Sequence, residues 1–297
     1  MSGVHLKAFD QVPIRKRIDE SIEEFINKLD LPYKLKDPIK YSALAPGKRV
    51  RPLLAWASAQ AAGGEGHESL PAGVAVELIH AFSLVHDDLP ALDNDDLRRG
   101  RPTLHIHAGE AAAILAGDAM LSLAYDAVSM VDPVPTAEVQ AMLIHELRNG
   151  TRAMIAGQVY DTLGGFPDGL TDLEKLELVH TNKTGALIKA ACVMGAKSAG
   201  ADQCTLKHIH DFAQNLGLQF QIIDDLLDTH GDPTLVGKAL RKDGDANKLT
   251  YPRAIGVDES QKIIRTLHTD ALQSLDAIEN PCIGLRELLE IMTSRSH

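Results

Sequence analysis

Five aspartates crowd the segment HDDLPALDNDDLRRGRPT, residues 86 to 103: Asp87, Asp88, Asp93, Asp95 and Asp96, followed at once by Arg98, Arg99 and Arg101. The stretch just upstream, VAVELIHAFSLV, is apolar enough to be buried. Two carboxylates ~6 Å apart repel by about 3 kcal/mol at an effective dielectric of ~20. A helix leaving a core with such a cluster therefore calls for positive charge, from the arginines, a metal ion or solvent. A second cluster lies in FQIIDDLLD, with Asp224, Asp225 and Asp228 among Ile222, Ile223, Leu226 and Leu227. At ~100° per residue the three fall within one ~100° arc and are expected to face the same way. Carboxylate sites without cysteine suit hard cations, and Mg²⁺ that keeps several waters while bridging to phosphate is the usual arrangement.

The basic residues fit that chemistry. PGKRVRP places Lys48, Arg49 and Arg51 just before a helix start, where free N–H groups and the helix dipole favour anions. Arg98 and Arg99 follow the first cluster, while Lys183, Lys238, Lys242 and Lys248 lie near the breaks and loop of the second half. Carboxylates that bind metal, set beside arginines and lysines, make a site for polyphosphate groups. His80 is two turns before Asp87 on the same face, and Gln221 is one turn before Asp224; each can reach such a site or be hydrogen-bonded in a core. No Gly-x-Gly-x-x-Gly or Walker-type loop is present, which argues against a nucleotide. No Ser–His–Asp or Cys–His signature is legible, so metal-assisted departure of a diphosphate, governed by positioning and electrostatics, is the expected chemistry. A rival pattern is the pair Glu77/His80 and Glu177/His180, two Glu-x-x-His pairs of the kind found in di-iron bundles. It leaves both aspartate clusters unexplained.

The elements that must position these residues read as helices. RIDESIEEFINKL puts Ile18, Ile22, Phe25, Ile26 and Leu29 on one side of an amphipathic helix. A second helix is expected to open at Pro52 and stop at Gly63-Gly64. Further helical patterns run from 71 to 92, 109 to 131, 136 to 163, 171 to 199 and 204 to 228, with shorter ones after Asp258 and Pro281. Strand-type alternation is nearly absent and no linker or low-complexity segment divides the chain, so residues 1–297 read as one all-α domain. Residues 229 to 252 are polar and Gly-rich, long enough for a functional loop or lid.

Composition narrows the partners. With 44% hydrophobic and 24% charged residues the 297-residue chain is of globular type. Only 4% is aromatic, so the core must be built from Ala, Leu, Ile and Val. A net charge of −11 argues against binding nucleic acid or anionic membranes non-specifically. Cys192, Cys204 and Cys282 show no metal spacing or even disulfide count, which fits a reducing compartment, and the N-terminal segment has no apolar signal region. No run is expected to supply the ~20 apolar residues of a membrane span. A cytoplasmic protein is expected.

The chain resembles the short-chain trans-prenyl diphosphate synthases, most closely the bacterial farnesyl diphosphate synthases. The blocks PGKRVRP, ELIHAFSLVHDDLPALDNDDLRRGRPT, AILAGDA, GQVYD, NKTGALI, LGLQFQIIDDLLD and NKLTYP carry the resemblance in that order along nearly the whole chain. It implies an all-α bundle around a deep cavity, a homodimer, and two aspartate motifs that hold three Mg²⁺ ions and the diphosphate of dimethylallyl or geranyl diphosphate. Asp87, Asp88 and Asp93 map onto the first motif, and Asp224, Asp225 and Asp228 onto the second. Arg98 is implied to contact the allylic diphosphate; Lys48, Arg51, His80 and Arg99 to hold isopentenyl diphosphate. Lys183, Thr184, Gln221 and Lys238 match positions that contact the allylic diphosphate or face a developing cation. Phe82, five residues before Asp87, matches the floor that limits the product to fifteen carbons. The Leu89-Pro90 insertion is shared with plant-type geranylgeranyl synthases, so a geranylgeranyl product is the rival within the family. A non-catalytic regulatory subunit of a prenyl synthase is the rival outside catalysis.

Overall fold

The computed structural model describes residues 9–230 and 249–294. Helix α1 (Gln11–Lys28) opens where the Asp10 carboxylate accepts the Val12 N–H at 3.1 Å, and it buries Ile18, Ile22, Phe25 and Ile26. This is the stripe read from the sequence. Helix α2 (Tyr33–Ala43) was not anticipated: its apolar positions are interspersed with lysines and it carries Pro38 inside. Helix α3 (Val50–Ala61) starts two residues before Pro52, with Arg49 as its cap at a left-handed φ of 50°. Helix α4 (Leu70–Asp87) has Pro71 in its first turn and is buried along almost its whole length.

The α4 helix stops at Asp87 instead of continuing to 92. The chain folds back on its end: the Asp93 N–H donates to the Asp87 carbonyl at 2.8 Å and the Asn94 N–H to the Leu89 carbonyl at 3.1 Å. A two-stranded hairpin follows, β1 (Leu97–Arg98) against β2 (Arg101–Pro102). Its two loop residues, Arg99 and Gly100, both have positive φ, as tight hairpins of the twisted kind require. The hairpin is fastened to α2: the Tyr41 hydroxyl donates to the Pro102 carbonyl at 2.8 Å, and Arg101 lies 4.3 Å over the Tyr41 ring.

Helices α5 (Leu104–Ala108), α6 (Glu110–Met130) and α7 (Ala137–Leu163) come next, then α8 (Asp172–His180), whose start is a reciprocal cap between Thr171 and Glu174. The helical pattern read over 171 to 199 is broken by a π-type turn, Thr181–Gly185, before α9 (Ala186–Ser198). Helix α10 (Gln203–His230), α11 (Tyr251–Ile255), α12 (Val257–Asp276) and α13 (Ile283–Thr293) complete the bundle. The fold is all-α apart from the hairpin. Helix α9 is central, packing on α3, α4, α7 and α10, while α4 packs on α3 and α6. A second, smaller core of Leu176, Ile222 and Tyr251 docks α11 onto α8 and α10. Most of the expected loop, including Lys238, Lys242 and Lys248, lies outside the described residues.

The expectation about apolar runs needs correction. Residues His67–Asp87 and Glu110–Met130 are long and apolar enough, by length and composition, to cross a membrane. Their His, Glu and Asp residues are too few to lower the average. The first is a core helix with 78% of its apolar window buried inside the bundle; the second has only 44% buried. Among the described residues all three cysteines are free, Cys192 and Cys282 in the core and Cys204 at the surface.

Candidate active site

The C-terminal end of α4 places Asp87 and Asp88 in different surroundings. Asp88 is 3% exposed and is gripped from the hairpin by Arg98, whose Nε lies 2.7 and 2.9 Å from the two carboxylate oxygens. Arg98 Nη2 bonds Asp88 as well and lies 3.6 Å from Asp95. Asp87, half-buried, has no such clamp. Burial pushes its carboxyl up to about 6; Lys183 opposes that, while Asp93 and Asp88 add to it. A carboxylate held this way gains from any cation that reaches it.

Lys183 comes from the π-type turn, a local irregularity that aims one side chain out of helical register. The turn lies hard against α7 at Gly157, where a Cβ would sit 2.1 Å from the Lys183 backbone nitrogen. One turn further along α7, Asp161 accepts a bond from Lys183 Nζ at 2.5 Å. The lysine is thus shared between Asp161 and the field of Asp87.

The second aspartate cluster divides differently from expectation. Asp225 is buried, and its Oδ2 accepts the Tyr251 backbone N–H at 3.0 Å and pairs with His180 Nε2 at 2.9 Å. It ties α10 to α8 and α11 instead of sharing an open face with its neighbours. Asp224 is half-buried, with Gln221 Nε2 3.4 Å from its Oδ2, and Asp228 is exposed. The Glu-x-x-His pairs are likewise committed elsewhere, Glu77 to Arg49 at 2.9 Å and His180 to Asp225. Among the described residues no three His, Cys, Asp or Glu side chains converge as a ready-made metal cluster.

Opposite the acids stands a cationic group. Arg49 is an internal strut, bonding Asp19 of α1 at 2.6 Å and Glu77 of α4 at 2.9 Å. Arg51, in the first turn of α3, has a buried Nε with no hydrogen-bond partner among the described residues. Burial lowers its pKa to about 10, with Arg99 adding and Glu77 opposing. Burial, reinforced by Arg51, Arg99, Arg98 and Arg49, holds His80 well below the ordinary histidine range, so its ring is neutral. Arg99 folds back to donate to the Pro46 carbonyl at 2.8 Å, which sets it beside the exposed Lys48 loop.

Of these residues, Asp87 and Lys183 meet Arg51 and His80 in a cavity of about 360 Å³. Its lining includes the polar Arg51, His80, Asp87, Lys183 and Thr184 and the apolar Phe82, Met154, Ile155, Val159 and Leu163. An anionic head with a hydrocarbon tail matches that polarity. The polyprenyl synthetase family model matches residues 32–280. The chain belongs to the polyprenyl synthetase family. It is 42% identical over 266 residues to geranylgeranyl pyrophosphate synthase 7, chloroplastic, of Arabidopsis thaliana, covering 89% of this chain and 76% of that one. Among solved structures it is similar to a geranyltransferase from Legionella pneumophila, with TM-score 0.83 and 28% identity over 96% of this chain and 95% of the other. It is also similar to an FPP/GFPP synthase from Zymomonas mobilis, with TM-score 0.81 and 30% identity over 94% and 98%.

As a polyprenyl synthetase the chain is a trans-prenyltransferase acting on prenyl diphosphates. Of the residues singled out in its sequence, Arg51, His80, Phe82, Asp87, Lys183 and Thr184 line one cavity. Arg98, implied to contact the allylic diphosphate, bonds Asp88 in this structure, and Asp88 and Asp225 are both engaged by protein partners. Lys238 lies outside the described residues. Asp161 was missed as a partner of Lys183. The spacing of Gly157 and Asp161 in GQVYD, one helical turn apart, was the available signal.

Proposed function

We propose that this enzyme makes farnesyl diphosphate, condensing isopentenyl diphosphate with dimethylallyl and then geranyl diphosphate in the presence of Mg²⁺. One observation carries the reading: Arg51, whose buried Nε has no hydrogen-bond partner among the described residues, lines the same cavity as Asp87, Lys183 and Phe82. Asp87, Asp93, Asp224 and Asp228 would supply an oxygen-only donor set of the kind that suits Mg²⁺. Bound there, the metal would neutralise charge on the departing diphosphate.

The protein's own residues do the rest. Lys183 and Thr184 line the cavity with Asp87, where the allylic diphosphate would lie. Arg51, neutral His80, Arg99 and Lys48 would orient the diphosphate of isopentenyl diphosphate. The allylic C–O bond breaks with its electron pair on oxygen, and the alkene π pair of isopentenyl diphosphate forms the new C–C bond. The resulting cation loses its proton to the released diphosphate, so no side-chain base is required. The apolar walls exclude water that would otherwise capture the cation.

Assembly as a homodimer is part of the same proposal. Helix α6 leaves Ile114 and Leu115 near one end and Met130 at the other between 40% and 60% exposed, apolar surface that a second copy would cover. Incubation with isopentenyl and geranyl diphosphates plus Mg²⁺, followed by chromatography, tests the function. A fifteen-carbon product is expected. Twenty-carbon product would establish the geranylgeranyl reading instead, and a folded protein without turnover would favour a regulatory subunit.

A further inference from the structure

We propose that Tyr41 of α2 is a positioning residue for isopentenyl diphosphate, anchoring the 97–102 hairpin so that Arg99 is held where that diphosphate arrives; this rests on the reading of Arg99 as a holder of that substrate. The hairpin is tied to α4, to the loop after α2 and to α2 itself. Arg98 bonds Asp88 of α4, with Nε 2.7 Å from the carboxylate. Arg99 donates to the Pro46 carbonyl at 2.8 Å, and Gly47 leaves room for it, since a Cβ there would collide with the Arg99 guanidinium. Tyr41 makes the remaining tie: its hydroxyl donates to the Pro102 carbonyl at 2.8 Å. Its ring stacks on His107, centroids 4.0 Å apart and planes 9° apart, and Arg101 lies 4.3 Å over it.

These ties are not equivalent. The first two use guanidinium groups that a diphosphate would engage, so an anion competes with them. Tyr41 uses neither. Its hold passes across the ladder, because Pro102 pairs with Leu97 and Arg101 with Arg98. Arg99 and Gly100 form the tip at φ of 54° and 74°, so the direction of the Arg99 side chain follows the seating of the strands. Beneath the hairpin, Tyr41, Arg98, Arg99 and His80 line a cavity of about 60 Å³, and His80 also lines the larger cavity with Arg51. A guanidinium already in place loses less freedom when the anion binds.

Tyr41→Phe deletes one hydroxyl and keeps the ring contacts with His107 and Arg101. The KM for isopentenyl diphosphate is expected to rise about three- to tenfold, the range that one hydrogen bond carries. The KM for geranyl diphosphate and kcat should stay within about twofold. Tyr41→Leu also removes the ring contacts and should raise the isopentenyl KM further. In an Arg99→Ala background Tyr41→Phe should add nothing, because no guanidinium is left to place.

The experiment combines steady-state kinetics with isopentenyl and geranyl diphosphates plus Mg²⁺, calorimetric titration with isopentenyl diphosphate alone, and thermal melting. It includes Leu275→Ala, a buried residue of α12, as a variant that lowers the Tm without moving either KM. A rise in KM and Kd confined to isopentenyl diphosphate, and lost in the Arg99→Ala background, supports the proposal. Unchanged values in folded Tyr41→Phe, an equal rise for both substrates, or an undiminished effect without Arg99 overturns it. If Tyr41→Leu does not fold, Tyr41→Phe, which loses a single oxygen, decides. A wild-type protein that makes no prenyl diphosphate at all would instead remove the functional reading itself.

Discussion

Lys183 Nζ and Asp161 Oδ2 lie 2.5 Å apart, joining the π-type turn before α9 to the C-terminal third of α7. Lys183 also offsets the charge of Asp87 across the cavity. A lysine side chain has many rotamers, and an ion pair that selects one of them presents the ammonium already placed for an anionic head. Asp161→Asn keeps the shape and removes the charge. The allylic KM is expected to rise about tenfold, equivalent to about 1.4 kcal/mol, with little change for isopentenyl diphosphate. A change confined to isopentenyl diphosphate would show that Lys183 serves the other substrate.

The metal-free protein should register the strain on Asp87. Its carboxyl sits at about 6 against an ordinary value of 3.8. Between those values the folded state retains a proton that the unfolded state has released, so stability falls as pH rises from about 4 to 6 and then levels off. Asp87→Asn abolishes that fall. With chelator present, the variant should match wild type near pH 4 and exceed it by about 1–3 kcal/mol at pH 7.5. Its turnover with Mg²⁺ should be at least a hundredfold lower, or about 2.7 kcal/mol of transition-state stabilisation. Urea unfolding at the two pH values checks the first statement, and a variant less stable at pH 7.5 contradicts it.

The helices were largely legible because an amphipathic or wholly apolar stripe survives in the sequence whatever it packs against. The ends of the site were not. Nothing in the periodicity after Asp87 signals that Asp93 and Asn94 turn back onto α4, since those bonds are backbone to backbone. The π-type turn adds a residue to an otherwise continuous helical pattern, so residues 171 to 199 read as one element. Pairs distant in sequence were equally hidden. Arg49 stood in a basic triplet that suggested an anion site, yet its partners Asp19 and Glu77 are 30 and 28 residues away and make it a strut. The same holds for Asp225, whose partners His180 and Tyr251 lie 45 and 26 residues away.

That arrangement gives Asp225 a testable difference from Asp224. Asp225→Ala leaves a buried Tyr251 N–H and the His180 ring without their acceptor, a loss of about 2–4 kcal/mol. The Mg²⁺ concentration for half-maximal activity should stay within about twofold of wild type. Asp224→Ala should do the reverse, keeping stability and abolishing turnover. If Asp225→Ala instead leaves the Tm unchanged and raises the Mg²⁺ requirement tenfold, its carboxylate is a ligand and not a tie.

Arg51 Nε has no hydrogen-bond partner among the described residues and its charge is desolvated by burial, so an anion that fills the cavity relieves both. Lysine at this position would keep the charge but lose the planar fork that engages two phosphate oxygens at once. Arg51→Lys is expected to raise the KM for isopentenyl diphosphate about tenfold, with a smaller change for the allylic substrate. An effect on the allylic substrate alone would contradict the assignment.

Phe82 offers a test of the proposed product length. Its ring is 6% exposed and belongs both to the main core and to the cavity wall. At ~1.5 Å rise per residue it sits roughly 7.5 Å along α4 from Asp87, within the path of a tail pointing away from that carboxylate. If the ring only packs the core, Phe82→Ala costs about 3–5 kcal/mol and leaves the product unchanged. As a floor, its removal lets a fifteen-carbon chain re-enter the cavity and be extended. Folded Phe82→Ala protein is expected to release twenty-carbon or longer diphosphates, with a lowered Tm reporting the core contribution separately. A folded, active variant that still stops at fifteen carbons would remove Phe82 as the floor, and chain length would have to be set elsewhere in the cavity wall.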